Sequence, residues 1–186
     1  MFTTGDVITK RLGIKFSEVE EQDFPHPGPK YIKAPEVEEI GEQIIDKFRS
    51  DLRNWKIGYL FKRTAAKSKT GEILGTANKE NDKSKAYSEK DAYVTIAFDK
   101  WITMDKDQKA RLVYHELLHL TPNQDKGVLD IEDHPINEFP EVISIFGPGQ
   151  ESDILFIEAY ERFRKDNTSL IDVINQEREL KKQLEE

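Results

Sequence analysis

Between Asp91 and Leu120 the apolar residues of this chain change period once, and abruptly. In DAYVTIAFDKW, Val94, Ile96 and Phe98 alternate with Tyr93, Thr95 and Ala97, the two-residue period of a strand with one buried face. In ITMDKDQKARLVYHELLHL, Ala110, Val113, Leu117 and Leu120 recur along one side of a helix. Thr103 is placed to cap that helix, and acidic residues follow in its first turn. A half-buried strand running into an amphipathic helix points to an α+β fold.

Other segments extend the pattern. From Pro35, a first-turn residue, Val37, Ile40, Ile44, Ile45, Phe48, Leu52 and Trp55 mark a second amphipathic helix. KIGYLFKR at 56–63 and GEILGTA at 71–77 are predicted strands joined by the polar TAAKSKT. The expected sheet is small, mostly antiparallel or mixed, and packed by an N-terminal helix and the histidine-bearing helix. Pro122 and NQDKG end the latter, a loop runs through VLDIEDHP, and a short helix near Glu138 to Phe146 is capped by Asn137 and stopped by Gly147. Residues 35–149 are expected to form the domain. Residues 1–34 form an N-terminal extension with a short helix near Thr4 to Leu12 and a turn-rich DFPHPGPKY; residues 150–186 form a C-terminal helical extension.

Composition narrows the chemistry. The 186 residues contain no cysteine, so any metal site must use His, Asp or Glu. The net charge of -8 works against attraction to nucleic acid or anionic lipid. Basic residues between Lys62 and Lys90 are interleaved with Ser, Thr, Gly and acidic side chains, as on a solvated hairpin surface. The N-terminus has no long apolar core and no segment approaches a membrane span of ~20 apolar residues, so no membrane association and a cytoplasmic location are expected.

Three of the four histidines fall between 115 and 134. His115 and His119, one helical turn apart, can both reach one cation, and Glu116, a step round the helix, can reach a water activated by that cation. A catalytic zinc ordinarily takes three protein ligands. His134 is the natural third, with Glu138 and Glu141 as alternatives on or beside the next helix. Asp130, Glu132 and Asp133 could take the free N–H of a ligand histidine or simply form a solvated acidic loop. His26, among prolines, is expected to be an exposed loop residue. No oxyanion donor is assignable from the sequence, although Tyr114, Tyr93 and Asn137 are available polar groups, the two tyrosines being better explained as core or surface residues.

The stretches NWKIGYLF, GEILGTA, AYVTIAFDKWITMDKDQKARLVYHELLHL and DHPINEFPEVISIFG resemble, in this order, the putative phage metallopeptidase family, a minimal zincin-type (HExxH) fold. The similarity covers residues 35 to 149. It implies a zinc-dependent peptidase with metal ligands His115, His119 and His134, Glu116 as general base, a peptide or protein substrate, and, for a phage protein, the host cytoplasm. Where the family has acidic residues after the third histidine, this chain has Pro135, Ile136 and Asn137 before Glu138.

Two other readings follow from the same residues. In one, the metal only stabilises a non-catalytic phage protein that binds or inhibits a host partner through its acidic surface and C-terminal helix. In the other, a metal-dependent hydrolase acts on nucleic acid or DNA-attached proteins, which the net charge disfavours.

Overall fold

The computed structural model describes residues 7–16, 24–25, 27–68, 71–133, 138–148, 154, 157 and 158. The chain divides into two compact units, residues 1–133 and 134–186.

In the first unit the described elements run α1 (Val7–Leu12), β1 (Tyr31–Lys33), α2 (Pro35–Phe48), β2 (Ile57–Lys62), β3 (Ala66–Lys67), β4 (Glu72–Ile73), β5 (Gly75–Lys79), α3 (Asp82–Ser88), β6 (Ala92–Ala97), α4 (Phe98–Trp101), α5 (Lys106–Leu118), β7 (Leu120–Asn123) and β8 (Val128–Ile131). Four strands form a mixed sheet in the order β1-β2-β6-β5. β1 is antiparallel to β2, β2 parallel to β6, and β6 antiparallel to β5. The expected α+β architecture with a mixed sheet is present.

The alternation of β6 is explained by what lies on each side. Val94 and Ile96 are fully buried with Phe61 of β2 on the face covered by α2 and α5, whereas Tyr93 and Thr95 turn to the opposite, more open face. The apolar stripe of α2 supplies Val37, Ile40 and Ile44, and that of α5 supplies Ala110, Val113 and Leu117. Trp101 closes the core between them; its indole N–H donates to Glu36 at 2.7 Å, and Lys109 bonds the other oxygen of the same carboxylate at 2.8 Å. A buried indole thus keeps a partner for its polar atom.

Several expectations need correction. The expected strand at 71–77 is divided into β4, which forms a short hairpin with β3, and β5, which β6 separates from β2. β6 is consequently an interior strand, and Phe98 leaves it to begin the turn of α4. The lysine-rich stretch before β6 contains a helix, α3, whose N-cap Asn81 accepts from the N–H groups of Lys83 and Ser84. The cap of α5 is Asp105 rather than Thr103: Asp105 accepts the Gln108 N–H at 2.8 Å while Gln108 Oε1 accepts the Asp105 N–H at 3.0 Å. That reciprocal pair is the capping box, which satisfies two otherwise orphaned donors. The expected loop after α5 is a hairpin, β7 with β8, pairing Leu120 with Ile131 and Asn123 with Val128. Its tight turn uses Gly127 at φ +63, a conformation costly for other residues.

Ahead of the sheet, α1 is fastened by side chains of the helical layer. Asp107 accepts from Ile8 and Thr9 N–H at 3.0 and 2.7 Å, and Lys47 donates to Leu12 and Gly13 carbonyls at 2.8 and 2.6 Å. The expected helix near Thr4 to Leu12 is described from Val7 onward; Thr4 and His26 lie outside the described residues.

In the second unit α6 (Pro140–Phe146) stands where a short helix was expected, with Pro140 in its first turn and Gly147 (φ +79) after its end. Its N-cap position is Phe139; Asn137, expected there, lies outside the described residues. Of the C-terminal helical extension, only Ile154, Ile157 and Glu158 are described, all three helical.

Candidate metal centre

α5 delivers its two histidines to one place. The helix ends at Leu118, yet the C-cap residue His119 keeps helical backbone angles (φ -63, ψ -22), so the one-turn relation with His115 survives. The two Nε2 atoms stand 3.2 Å apart with the rings at 72°. His119 Nδ1 lies 2.6 Å from the Glu132 carbonyl oxygen. A carbonyl can only accept, so Nδ1 carries the proton and the Nε2 lone pair is left facing His115.

That separation fits a shared cation. Two ligands on a tetrahedral ion with metal–nitrogen distances of 2.0–2.1 Å stand roughly 3.3 Å apart. Among the described residues no set of three His, Asp or Glu side chains forms a metal site. His134 lies outside the described residues. Glu138 belongs to the second unit, where it is buried and its carboxylate accepts the Phe139 N–H at 3.0 Å; Glu141 is exposed in the first turn of α6.

The corner that carries His119 is held from two sides. Glu132, at the end of β8, donates its N–H to the His119 carbonyl at 2.8 Å as well as accepting from the ring. The support is therefore the backbone of Glu132 and not its carboxylate, which Thr121 Oγ1 engages at 2.9 Å. Asp130 is turned to Asn123 and Lys79, whose hydrogen bonds hold its carboxyl below the usual range, and Asp133 is exposed. Arg49 comes from the C-cap of α2: Nη1 donates to Leu117 O at 2.5 Å, Nη2 to Leu120 O at 2.6 Å, and the guanidinium also grips Asp51. It is buried, and it occupies carbonyls that the end of a helix leaves without intrahelical partners.

Glu116 is 4% exposed and lies beneath Gly75 at the start of β5. Of the tyrosines considered, Tyr114 is buried with its ring 5.8 Å from that of Phe48, and Tyr93 lies on the opposite sheet face from Glu116, over Gly58. That opposite face carries a concavity of about 430 Å³, lined by Leu60, Tyr93, Thr95, the β3–β4 hairpin and Gly75; His115, Glu116 and His119 do not line it.

The sheet edge beside Glu116 belongs to β5. Leu74 pairs with Ala97 and Glu80 with Asp91 through hydrogen bonds to β6. By the antiparallel alternation, the N–H and C=O groups of Gly75, Ala77 and Lys79 therefore point away from β6 toward the edge.

Arg49, Gly75 and the Glu132 carbonyl were not singled out from sequence. Only Gly75 carried a usable signal, a glycine inside a strand pattern, which marks close approach of another group.

Comparison with known families matches residues 29–166 to the family described as Putative phage metallopeptidase. No match arises with curated proteins or with solved structures. Among the described residues no helix is long and apolar enough to cross a membrane.

Proposed function

The chain belongs to this phage metallopeptidase family, which implies a metal ion and a peptide or protein substrate, and from that premise we propose a zinc peptidase in which His115, His119 and His134 hold the ion. The observation that carries the reading is the convergence of two Nε2 atoms at 3.2 Å with one tautomer fixed by the Glu132 carbonyl. Glu138 is the alternative third ligand. Bound there, zinc supplies Lewis acidity toward a water and toward the scissile carbonyl.

The chain's own residues do the rest. Glu116 takes the proton of the attacking water and returns it to the departing amine nitrogen. The outward backbone groups of Gly75, Ala77 and Lys79 offer hydrogen bonds to an extended chain, which would join the sheet as a further strand. Such pairing fixes the substrate backbone while leaving its side chains free, so selectivity must come from neighbouring residues.

Incubation with a proteome-derived peptide mixture, with new termini read by mass spectrometry, tests the proposal. Wild type is expected to generate zinc-dependent cleavages, and Glu116→Gln to retain one zinc per chain while generating none. Cleavage by Glu116→Gln at the wild-type rate would exclude Glu116 as the base. Zinc affinity of His134→Ala against Glu138→Ala identifies the third ligand: wild-type affinity in His134→Ala would transfer the role to Glu138.

A further inference from the structure

Gly75 has no conformational reason to be glycine. Its φ is not among the positive values that favour this residue, which occur at Gly13, Gly71, Gly127 and Gly147. Within a strand, glycine costs backbone entropy and gives up cross-strand packing. The reason is spatial. A Cβ built on Gly75 would overlap Glu116 Oε1 and stand 2.8 Å from Cδ and 2.9 Å from Cγ. Gly75 and its cross-strand neighbour Ile96 share the helix-facing side of the sheet, so the space a side chain would fill is the space that the Glu116 carboxylate occupies.

The same residue turns its N–H and C=O to the edge of β5 that no described strand of the sheet pairs. One position therefore has two neighbours: the carboxylate on the helix-facing side, and, in the plane of the sheet, the edge along which an extended chain would pair.

We propose that Gly75 is a positioning residue: by lacking a side chain it lets the Glu116 carboxylate lie directly under the sheet edge, at the point where the scissile peptide passes. This rests on the peptidase reading of the site. With any larger residue at 75, Glu116 must turn to another rotamer, and its carboxylate moves away from the reacting water.

A double-mutant cycle tests the contact without needing activity. Melting temperatures are compared for wild type, Gly75→Ala, Glu116→Ala and Gly75→Ala/Glu116→Ala. Gly75→Ala is expected to lower Tm by roughly 3–10 °C when Glu116 is present, as overpacked sites do, and to leave it unchanged or raise it when residue 116 is alanine. If Gly75→Ala alone fails to fold, recovery of folding in the double variant is the supporting result. An equal loss in both backgrounds overturns the proposal.

Kinetics on a peptide cleaved by wild type supply the second readout. In Gly75→Ala, kcat should fall about a hundredfold with KM and zinc affinity nearly unchanged, the signature of a displaced catalytic group. Shortening the carboxylate arm in Gly75→Ala/Glu116→Asp should recover part of that loss relative to Gly75→Ala. Wild-type kcat in Gly75→Ala also overturns the proposal. Should wild type cleave nothing, the peptidase reading fails on its own, while the melting cycle still decides whether Gly75 sets the position of Glu116.

Discussion

At its N-terminus α5 is closed by its own residues: Asp105 and Gln108, three positions apart, satisfy each other's backbone N–H groups. At its C-terminus the carbonyls of Leu117 and Leu120 are taken by Arg49, 68 and 71 positions earlier in the chain, and His119 is gripped by the backbone of Glu132. The first end is local and faces solvent; the second is assembled from α2, α5 and the β7–β8 hairpin, and is largely buried. Helix caps alone would be served by a glycine or a water at the second end. Drawing three elements onto one corner fixes the side chains that project from it, which is what a pair of metal-ligating histidines requires.

The difference predicts unequal consequences for disturbing the two ends. Arg49→Ala should have the largest effect, because it leaves two buried carbonyls without their charged donor. At about 1.5 kcal/mol for each hydrogen bond to a charged group, the loss is about 3 kcal/mol, or a fall in Tm of roughly 6–12 °C. Zinc affinity should fall by about tenfold as well, measurable by chelator competition on the folded fraction. Asp105→Ala breaks the opposite cap and should cost only about 1 kcal/mol in urea unfolding, with zinc affinity within about twofold of wild type. Equal zinc losses in the two variants would erase the distinction between the ends.

The smallest effect concerns Asp51. The hydrogen bond from Arg49 holds its carboxyl below the usual carboxylate value, more than offsetting the upward push of burial. A group depressed in the folded state stabilises the fold above its unfolded value, and that stabilisation disappears as pH falls through the lowered folded value. Urea unfolding from neutral pH down to about pH 3 should therefore show a shallower acid decline for Asp51→Asn than for wild type. Half of the Asp51 side chain is in water, so the difference should be small.

Legibility followed the range of the interactions. The α2 stripe of Val37, Ile40 and Ile44 and the β6 alternation of Val94 and Ile96 were visible because each is written within one element. The position of β6 inside the sheet was not, since nothing local tells a strand which neighbours it takes. The β7–β8 hairpin was hidden by Pro122, which reads as a breaker although proline is tolerated at a strand's edge. At the candidate site, the one-turn spacing of His115 and His119 was legible, and their Nε2 atoms stand 3.2 Å apart. Arg49 was not, because an arginine past the end of one helix gives no hint that it caps another. The Glu132 carboxylate drew attention while its carbonyl does the holding, and backbone groups have no sequence signature.

Zinc titration of the folded protein, by competition with a chromophoric chelator, bears most directly on the idea that α5 carries a metal site. One zinc per chain is expected for wild type and for Glu116→Gln, with affinity reduced by at least about a hundredfold in His119→Ala. Wild-type affinity in His119→Ala, or no stoichiometric zinc in wild type, would contradict the assignment.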